Sequence, residues 1–395
     1  MNLFKIKTLD EKYYMNVFGK RLNAAFTHGE DVYLFDTNGN KYIDFLAGIA
    51  VNSLGYSDIG FKDALKTQID KLIHTSNYFY NELQTELAEM LCKKTNMDKV
   101  FFANSGAEAN ECALKLAKKA AYDKGIENPK FATLKNSFHG RTVATVTATG
   151  QEKFYAPYLP GGFDYAYIEP NDKAQMRNTI NKDTCAVIIE LIQGEGGVFP
   201  LDLKYVQYLR ELCTQTGTLL IVDEIQTGMG RTGTFLCCEQ YGIKPDILTL
   251  AKSLGNGVPI GACLAVKEAA DCFSPGDHGS TFGGNYLACT AGLYVTECID
   301  EKMLKQINEI GKYFKLRLEL LKRSKPDNIV DVRGLGLMLG VQLDDSISAA
   351  GVRNELFDNG ILIGTAGANT LRFLPPYVIT PNNIDYLIDK LEQIL

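Results

Sequence analysis

Histidine is scarce in this chain, with four residues, at positions 28, 74, 139 and 278, among 395. None of the ten cysteines forms a C-x-x-C pair, so the two residue types together make no zinc pattern and no metal site is expected. Cys237 and Cys238 are adjacent, an arrangement that suits neither a chelate nor an easy disulfide. Reduced thiols in a cytoplasmic protein are the expectation. Basic clusters are missing too. Lys and Arg total 41 against 47 Asp and Glu, and the net charge of −6 leaves no electrostatic footprint for nucleic acid or an anionic membrane. The opening MNLFKIKTLDEKYY holds no apolar stretch of signal-peptide length, and no run approaches the roughly 18 apolar residues of a membrane span. No G-x-x-x-x-G-K-[ST] loop and no completed G-x-G-x-x-G occur, which excludes a Walker nucleotide site and argues against a nicotinamide-dependent dehydrogenase. The turn-like Arg333–Gly334–Leu335–Gly336 does not complete one either. A small-molecule partner remains.

What is present is an ordinary globular composition, 46% hydrophobic and 22% charged, in a chain long enough for two or three domains. From about Val32 to Leu54 the pattern alternates loosely around a Thr37–Asn38–Gly39–Asn40 turn, which predicts short antiparallel strands. A long middle section alternates apolar runs with helical spacing. The runs are Val100–Ala103, Phe131–Leu134, Cys185–Glu190, Thr218–Val222, Asp246–Leu250 and Ala262–Val266. Strands alternating with helices predict crossover connections and a mostly parallel sheet. The last stretch reads differently: a charged helix around Lys302–Leu321, strands near Ile329–Val332, Leu337–Leu343 and Leu371–Leu374, and a final helix opened by Thr380–Pro381. The expected architecture is α/β: a large mostly parallel-sheet domain over 61–300, and a smaller α+β domain from both chain ends, 1–60 and 301–395.

Three segments suggest chemistry. Asn104-Ser-Gly-Ala-Glu-Ala-Asn110 follows a strand and opens a helix, so small residues let N–H groups approach an anion at the positive end of the dipole. The same letters, Ser105-x-x-Glu108, also read as a plain capping box. Asp223 and Glu224 end the run LLIV, where α/β sheets place their ligands. Lys252 stands after another apolar run, among small and apolar neighbours that would bury its base and lower its pKa. It lies 29 residues beyond Asp223, enough for one strand–crossover–strand step. A phosphate cup, a carboxylate for a pyridine nitrogen and a lysine able to form an imine are together what pyridoxal phosphate requires. His139 reads as a supporting group, because Lys252 already supplies the proton shuttle.

Nine ordered blocks carry a resemblance over nearly the whole chain: YYMN near Tyr13, DFLAGIAVNSLG, FFANSGAEANE, FHGRT, QGEGGV, LLIVDEIQTGMGRTG, LAKSLGNGVPIGA, GSTFGGN and LRFLPP. On these the chain resembles the fold-type I, class-III (ω-amino) aminotransferases. The resemblance implies Gly106 and Ala107 on the phosphate of pyridoxal phosphate, Phe138 stacked on its ring, and Asp223 on the ring nitrogen. Gln226 would reach the phenolic oxygen, with Glu224 and Ile225 between the two. Lys252 would carry the imine, and Thr281 would bind the phosphate of the other subunit's cofactor in a homodimer. Arg141 would anchor the carboxylate of N-acetylornithine, with Ser280 near it. Arg372 would take the α-carboxylate of glutamate or 2-oxoglutarate, and Glu195 would cover Arg372 in the other half-reaction. Related donors are ornithine, 4-aminobutyrate and succinyl-diaminopimelate, and an aminomutase is a further variant of the fold. The chain departs from the family pattern after Leu54–Gly55, where Tyr56–Ser57–Asp58 stands in place of a histidine and a His-Pro pair.

Overall fold

The computed structural model describes residues 1–395, all of the chain. Its largest sheet has seven strands, in spatial order Lys99–Ala103, Gly261–Ala265, Ile247–Leu250, Leu219–Asp223, Thr184–Ile189, Lys130–Leu134 and Tyr165–Ile168. Neighbours are parallel except Gly261–Ala265, which is antiparallel to both of its own. Every residue of Thr184–Ile189, Ile247–Leu250 and Gly261–Ala265 is buried, as continuous apolar runs require of strands covered on both faces. The helix Gly106–Asp123 lies against this sheet through Ala109, Cys112, Ala113, Leu116, Ala117 and Ala120, a face small enough for close approach. The crossover from Asp223 to Ile247 holds only a short 3-10 turn, Cys237–Tyr241, in place of a helix.

A second core forms where the chain ends meet. Val32 and Phe45 join Ile307, Phe314, Leu339, Phe373, Ile384 and Leu391 in one buried cluster. Its scaffold is the helix Glu301–Ser324, an antiparallel sheet in the order Ile329–Leu335, Met338–Leu343, Thr370–Phe373, Gly364–Ala366, and the helices Ala349–Asp358 and Pro381–Ile394. Thr380 caps the last helix, accepting from Asn383 N, with Pro381 at its first position. The amino-terminal strands Phe26–Glu30, Tyr33–Asp36 and Lys41–Asp44 take Ile361–Leu362 as a parallel fourth. Their turn is closed by Asp36, whose Oδ1 accepts from Asn38 N and Asn40 N.

The strand pattern expected through Leu54 stops earlier, at Asp44. Asp44 Oδ1 accepts from Leu46 N at 2.7 Å and Ala47 N at 2.9 Å. Those bonds turn the backbone out of the sheet, and Ala47–Ala50 follow with φ of 49°, 64°, 67° and 61°. Arg231, fully buried, joins this segment to the second core. It donates to Leu337 O, Pro375 O and Ser53 Oγ, and its guanidinium lies 4.7 Å from the Tyr377 ring centre.

Phe314 is fully buried between Phe45 and Phe373, with ring centres 5.7 and 5.4 Å away. Phe314→Ala should therefore cost about 3–5 kcal/mol in urea unfolding, the range for deleting a core phenylalanine. A loss below about 1 kcal/mol would show that the two chain ends do not share this core.

Candidate active site

At the carboxyl edge of the large sheet, Asp223 is paired in register with Thr249 on the neighbouring parallel strand. Lys252 follows three residues on, in a 3-10 turn over Lys252–Gly255 that it enters at φ +47°, a left-handed conformation costly for a side chain of this size. Asp223 and Lys252 line one cavity of about 390 Å³. Lys252 Nζ has no hydrogen-bond partner in the chain. Burial lowers its pKa first, Glu195 pulls it back up, and Arg372 pushes it down again. An amine in this setting is a stronger candidate nucleophile at neutral pH than a surface lysine.

Asp223 is buried and fully engaged. Oδ1 accepts from Ile225 N at 3.0 Å, and Oδ2 accepts from Asn110 Nδ2 at 2.8 Å. His139 Nδ1 lies 2.8 Å from the same Oδ2, which places its proton on Nδ1 and leaves Nε2 buried without a partner. Thr249 Oγ1 in turn donates to Asn110 Oδ1 at 2.8 Å. The acid is thus held from two strands, the helix Gly106–Asp123 and the loop carrying Phe138.

That helix opens into the same cavity. Ser105 caps it by accepting from Glu108 N, while the N–H groups of Gly106 and Ala107 have no acceptor in the chain. The expected capping box is only half made, because the Glu108 carboxylate accepts from Asn104 N and Ser105 Oγ instead of from Ser105 N, and the two free N–H groups remain available to an anion. A Cβ at Gly106 would sit 2.8 Å from Ile225 Cδ1 and 2.9 Å from its Cγ2, so any larger residue would have to displace that side chain. Phe138, Ile225 and Gln226 also line the cavity, and Gln226 Oε1 is buried with no donor.

The two arginines differ in their surroundings. Arg372, 4% exposed, donates Nη1 to Glu195 Oε1 at 2.5 Å and to Gly194 O at 3.2 Å. Arg141 is exposed at the cavity lining with no carboxylate partner, its guanidinium 3.8 Å from the Phe154 ring centre and 5.1 Å from that of Phe138. Glu195 and Arg141 both line the cavity.

Four expected residues are not among the cavity's lining: Arg372, which pairs with the lining Glu195, and three others. The Glu224 carboxylate turns into its own loop, accepting from Thr227 Oγ1, Cys237 N and Cys238 N, and burial raises its pKa to about 7. Ser280 Oγ accepts from Asn104 Nδ2 at 3.2 Å and from Gly283 N at 2.9 Å, with no hydrogen bond to Arg141. Thr281 is exposed on the surface. Conversely, two groups escaped the sequence reading, Asn110 buried behind the cavity wall and Glu190 in its lining. Asn110 lay inside a quoted block without a role. Glu190 ends the run Thr184–Ile189 on the strand beside Asp223, so the strand-end rule that selected Asp223 could have selected it too. Its Oε2 accepts from Phe138 N at 2.9 Å and its Oε1 from Gly194 N at 3.2 Å.

The profile of the class-III aminotransferase family matches residues 14–395. The acetylornithine aminotransferase of Aquifex aeolicus is 45% identical over 97% of this chain and 100% of its own length. That of Caldanaerobacter subterraneus is 44% identical over 98% of each. Among solved structures, the ornithine aminotransferase of Toxoplasma gondii superposes with a TM-score of 0.94 at 33% identity, covering 100% of this chain and 94% of its own. The acetylornithine aminotransferase of Elizabethkingia anophelis gives 0.87 at 33% identity, covering 100% and 98%.

Burial raises the Glu190 pKa from 4.5 to about 7. A carboxyl raised in the folded state contributes stability in full below its ordinary value and loses it as pH climbs through about 7. Glu190→Gln should therefore lose less stability than the parent between about pH 5 and pH 8 in urea unfolding, by up to about 3 kcal/mol. Parallel pH curves would show Glu190 titrating at its ordinary value.

Proposed function

The chain belongs to the class-III aminotransferases, and on that premise we propose that it transfers the δ-amino group of N-acetylornithine to 2-oxoglutarate, with pyridoxal phosphate on Lys252. The products are N-acetylglutamate 5-semialdehyde and glutamate. One observation carries the reading: the site holds one arginine covered by a carboxylate, Arg372–Glu195, and one left uncovered, Arg141. The sequence relatives named above are acetylornithine aminotransferases, which supports an acylated donor.

The residues present fit this cofactor. Gly106 and Ala107 would offer unpaired N–H groups to its phosphate, Gln226, whose Oε1 has no donor in the chain, would accept from its phenolic hydroxyl, and Asp223 would offer a braced carboxylate to its nitrogen. Phe138 would cover the ring, and Thr281 would serve the partner's phosphate in a homodimer. The cofactor, when bound, supplies an electron sink for the pair released at the amine-bearing carbon. Lys252 Nζ, its base favoured by burial, would take the proton from that carbon and deliver it to the cofactor's C4′, so that the nitrogen stays with the cofactor.

Arg141 binds the α-carboxylate of the donor, which leaves the terminal amine directed at Lys252. Glu195 neutralises Arg372 meanwhile, so an α-amino acid finds no second anchor. A dicarboxylate displaces Glu195 and pairs with Arg372, since a guanidinium matches a carboxylate in bidentate fashion. The exposed Tyr78, Phe79, Tyr80 and Phe282 supply apolar surface for a second copy. A cytoplasmic setting agrees with ten free thiols.

N-Acetylornithine should turn over faster than ornithine or succinyl-diaminopimelate, each with 2-oxoglutarate, and a preference for ornithine would overturn the donor assignment. Arg372→Ala should slow the 2-oxoglutarate half-reaction by about 10–100-fold, the worth of a charge-assisted pair, while the donor half-reaction persists. Equal losses in both would remove Arg372 from its role. Lys252→Ala should abolish the visible absorbance of the purified protein together with turnover, and full activity in that variant would refute the mechanism.

A further inference from the structure

Ser253 follows the reactive lysine directly, yet it is buried and takes no part in lining the cavity. Its hydroxyl donates to Ala50 O at 2.8 Å and lies 2.6 Å from Ser53 Oγ. With the Ser253 proton given to Ala50, Ser53 donates to Ser253 and is left to accept from Arg231 Nη2 at 3.2 Å. At the other end of the same turn, Asn256 Oδ1 accepts from Leu54 N at 3.0 Å. The lysine-bearing turn is therefore docked at both ends on the segment Ala50–Leu54, about 200 residues away in the chain.

Both docked pieces are strained. Lys252 and Asn256 have φ of +47° and +44°. The support, Ala47–Ala50, is a left-handed turn in which only Gly48 is at ease, and Ile49, β-branched at φ +67°, is a genuine outlier. Backbone of this kind persists only where surrounding contacts hold it. Here Asp44, 1% exposed, holds the entry through Leu46 N and Ala47 N, and its other oxygen accepts from Tyr56 OH at 2.6 Å. Tyr56 is one of the residues at which the chain departs from its family's pattern. The hydrogen bonds run unbroken from Tyr56 through Asp44 to the left-handed turn, and from the end of that turn to Ser253.

We propose that Ser253 is a positioning residue for Lys252, locking the lysine-bearing turn onto the left-handed turn Ala47–Ala50, and that Tyr56 acts on the same lysine through Asp44. The amine is thereby held among Glu190 and Glu195 beyond one strand, Asp223 at the end of the next, and Arg372 from the second core, the charged groups that face it. The inference rests on Lys252 being the reactive amine, and not on which donor it meets.

Ser253→Ala tests it in each half-reaction separately and, in the cofactor-free full-length protein, by competitive acylation of Lys252 across pH. A displaced amine should lower kcat about 10–100-fold in both half-reactions alike, with each KM within about twofold of the parent. The acylation midpoint of Lys252 should rise toward that of an ordinary lysine as water reaches the amine. Parental kcat, or a lowered kcat with an unmoved midpoint, overturns the proposal. Should Ser253→Ala fail to fold, Tyr56→Phe, which removes one oxygen, must show the same split of kcat from KM and the same direction of midpoint at smaller size. Tyr56→Phe matching the parent in both readouts overturns it equally. A wrong donor assignment would leave the acylation midpoints readable, so the two failures are distinguishable.

Discussion

Two parallel strands that end side by side, with an acid closing one and a lysine just past the other, are the constraint on which the site depends. The pairing of Asp223 with Thr249 sets how far apart acid and amine begin. Asn110 then bonds to both residues of that pair, so the helix that offers the anion cradle is tied to the acid as well. Cradle, acid and amine are consequently three readings of one piece of backbone geometry. A slip of one residue between the two strands would point Asp223 to the opposite face.

Burial governs how the charges behave once they are in place. It pushes the Lys252 amine down and the Glu190 carboxyl up, and it makes the Glu195–Arg372 pair costly to leave half-satisfied. Arg141 differs because it is exposed and stacked on aromatic rings, where a guanidinium keeps its charge without a carboxylate. That contrast supports the proposed use of one small cavity by two kinds of substrate.

Much of this was legible because strand-forming runs in a covered sheet are continuous, and six of the seven strands announced themselves as such. Tyr165–Ile168 did not, since in this edge strand of sequence Tyr-Ala-Tyr-Ile only Ile168 is buried, which makes no run to betray it. The helices Ile59–Lys71 and Glu82–Thr95 were also unread, their buried residues being too few to mark a period. Asp223 and Lys252 could be chosen from position alone. Glu190 obeyed the same rule on the next strand but matched no cofactor requirement, and the turn at Ala47–Ala50 is invisible in a sequence whose residues there mostly avoid that conformation. The role of Glu224 misled for the opposite reason: it sits at a strand end, and its own loop claims it.

Glu190 also ties together parts that would otherwise move separately. One oxygen grips the backbone of Phe138 and the other that of Gly194, the residue whose carbonyl also receives Arg372. The carboxyl is a crossbar between the loop of Phe138 and the backbone just before Glu195. On the proposed reading, a shift of Glu195 to admit the second substrate would be felt by Phe138, coupling the two through a single buried side chain.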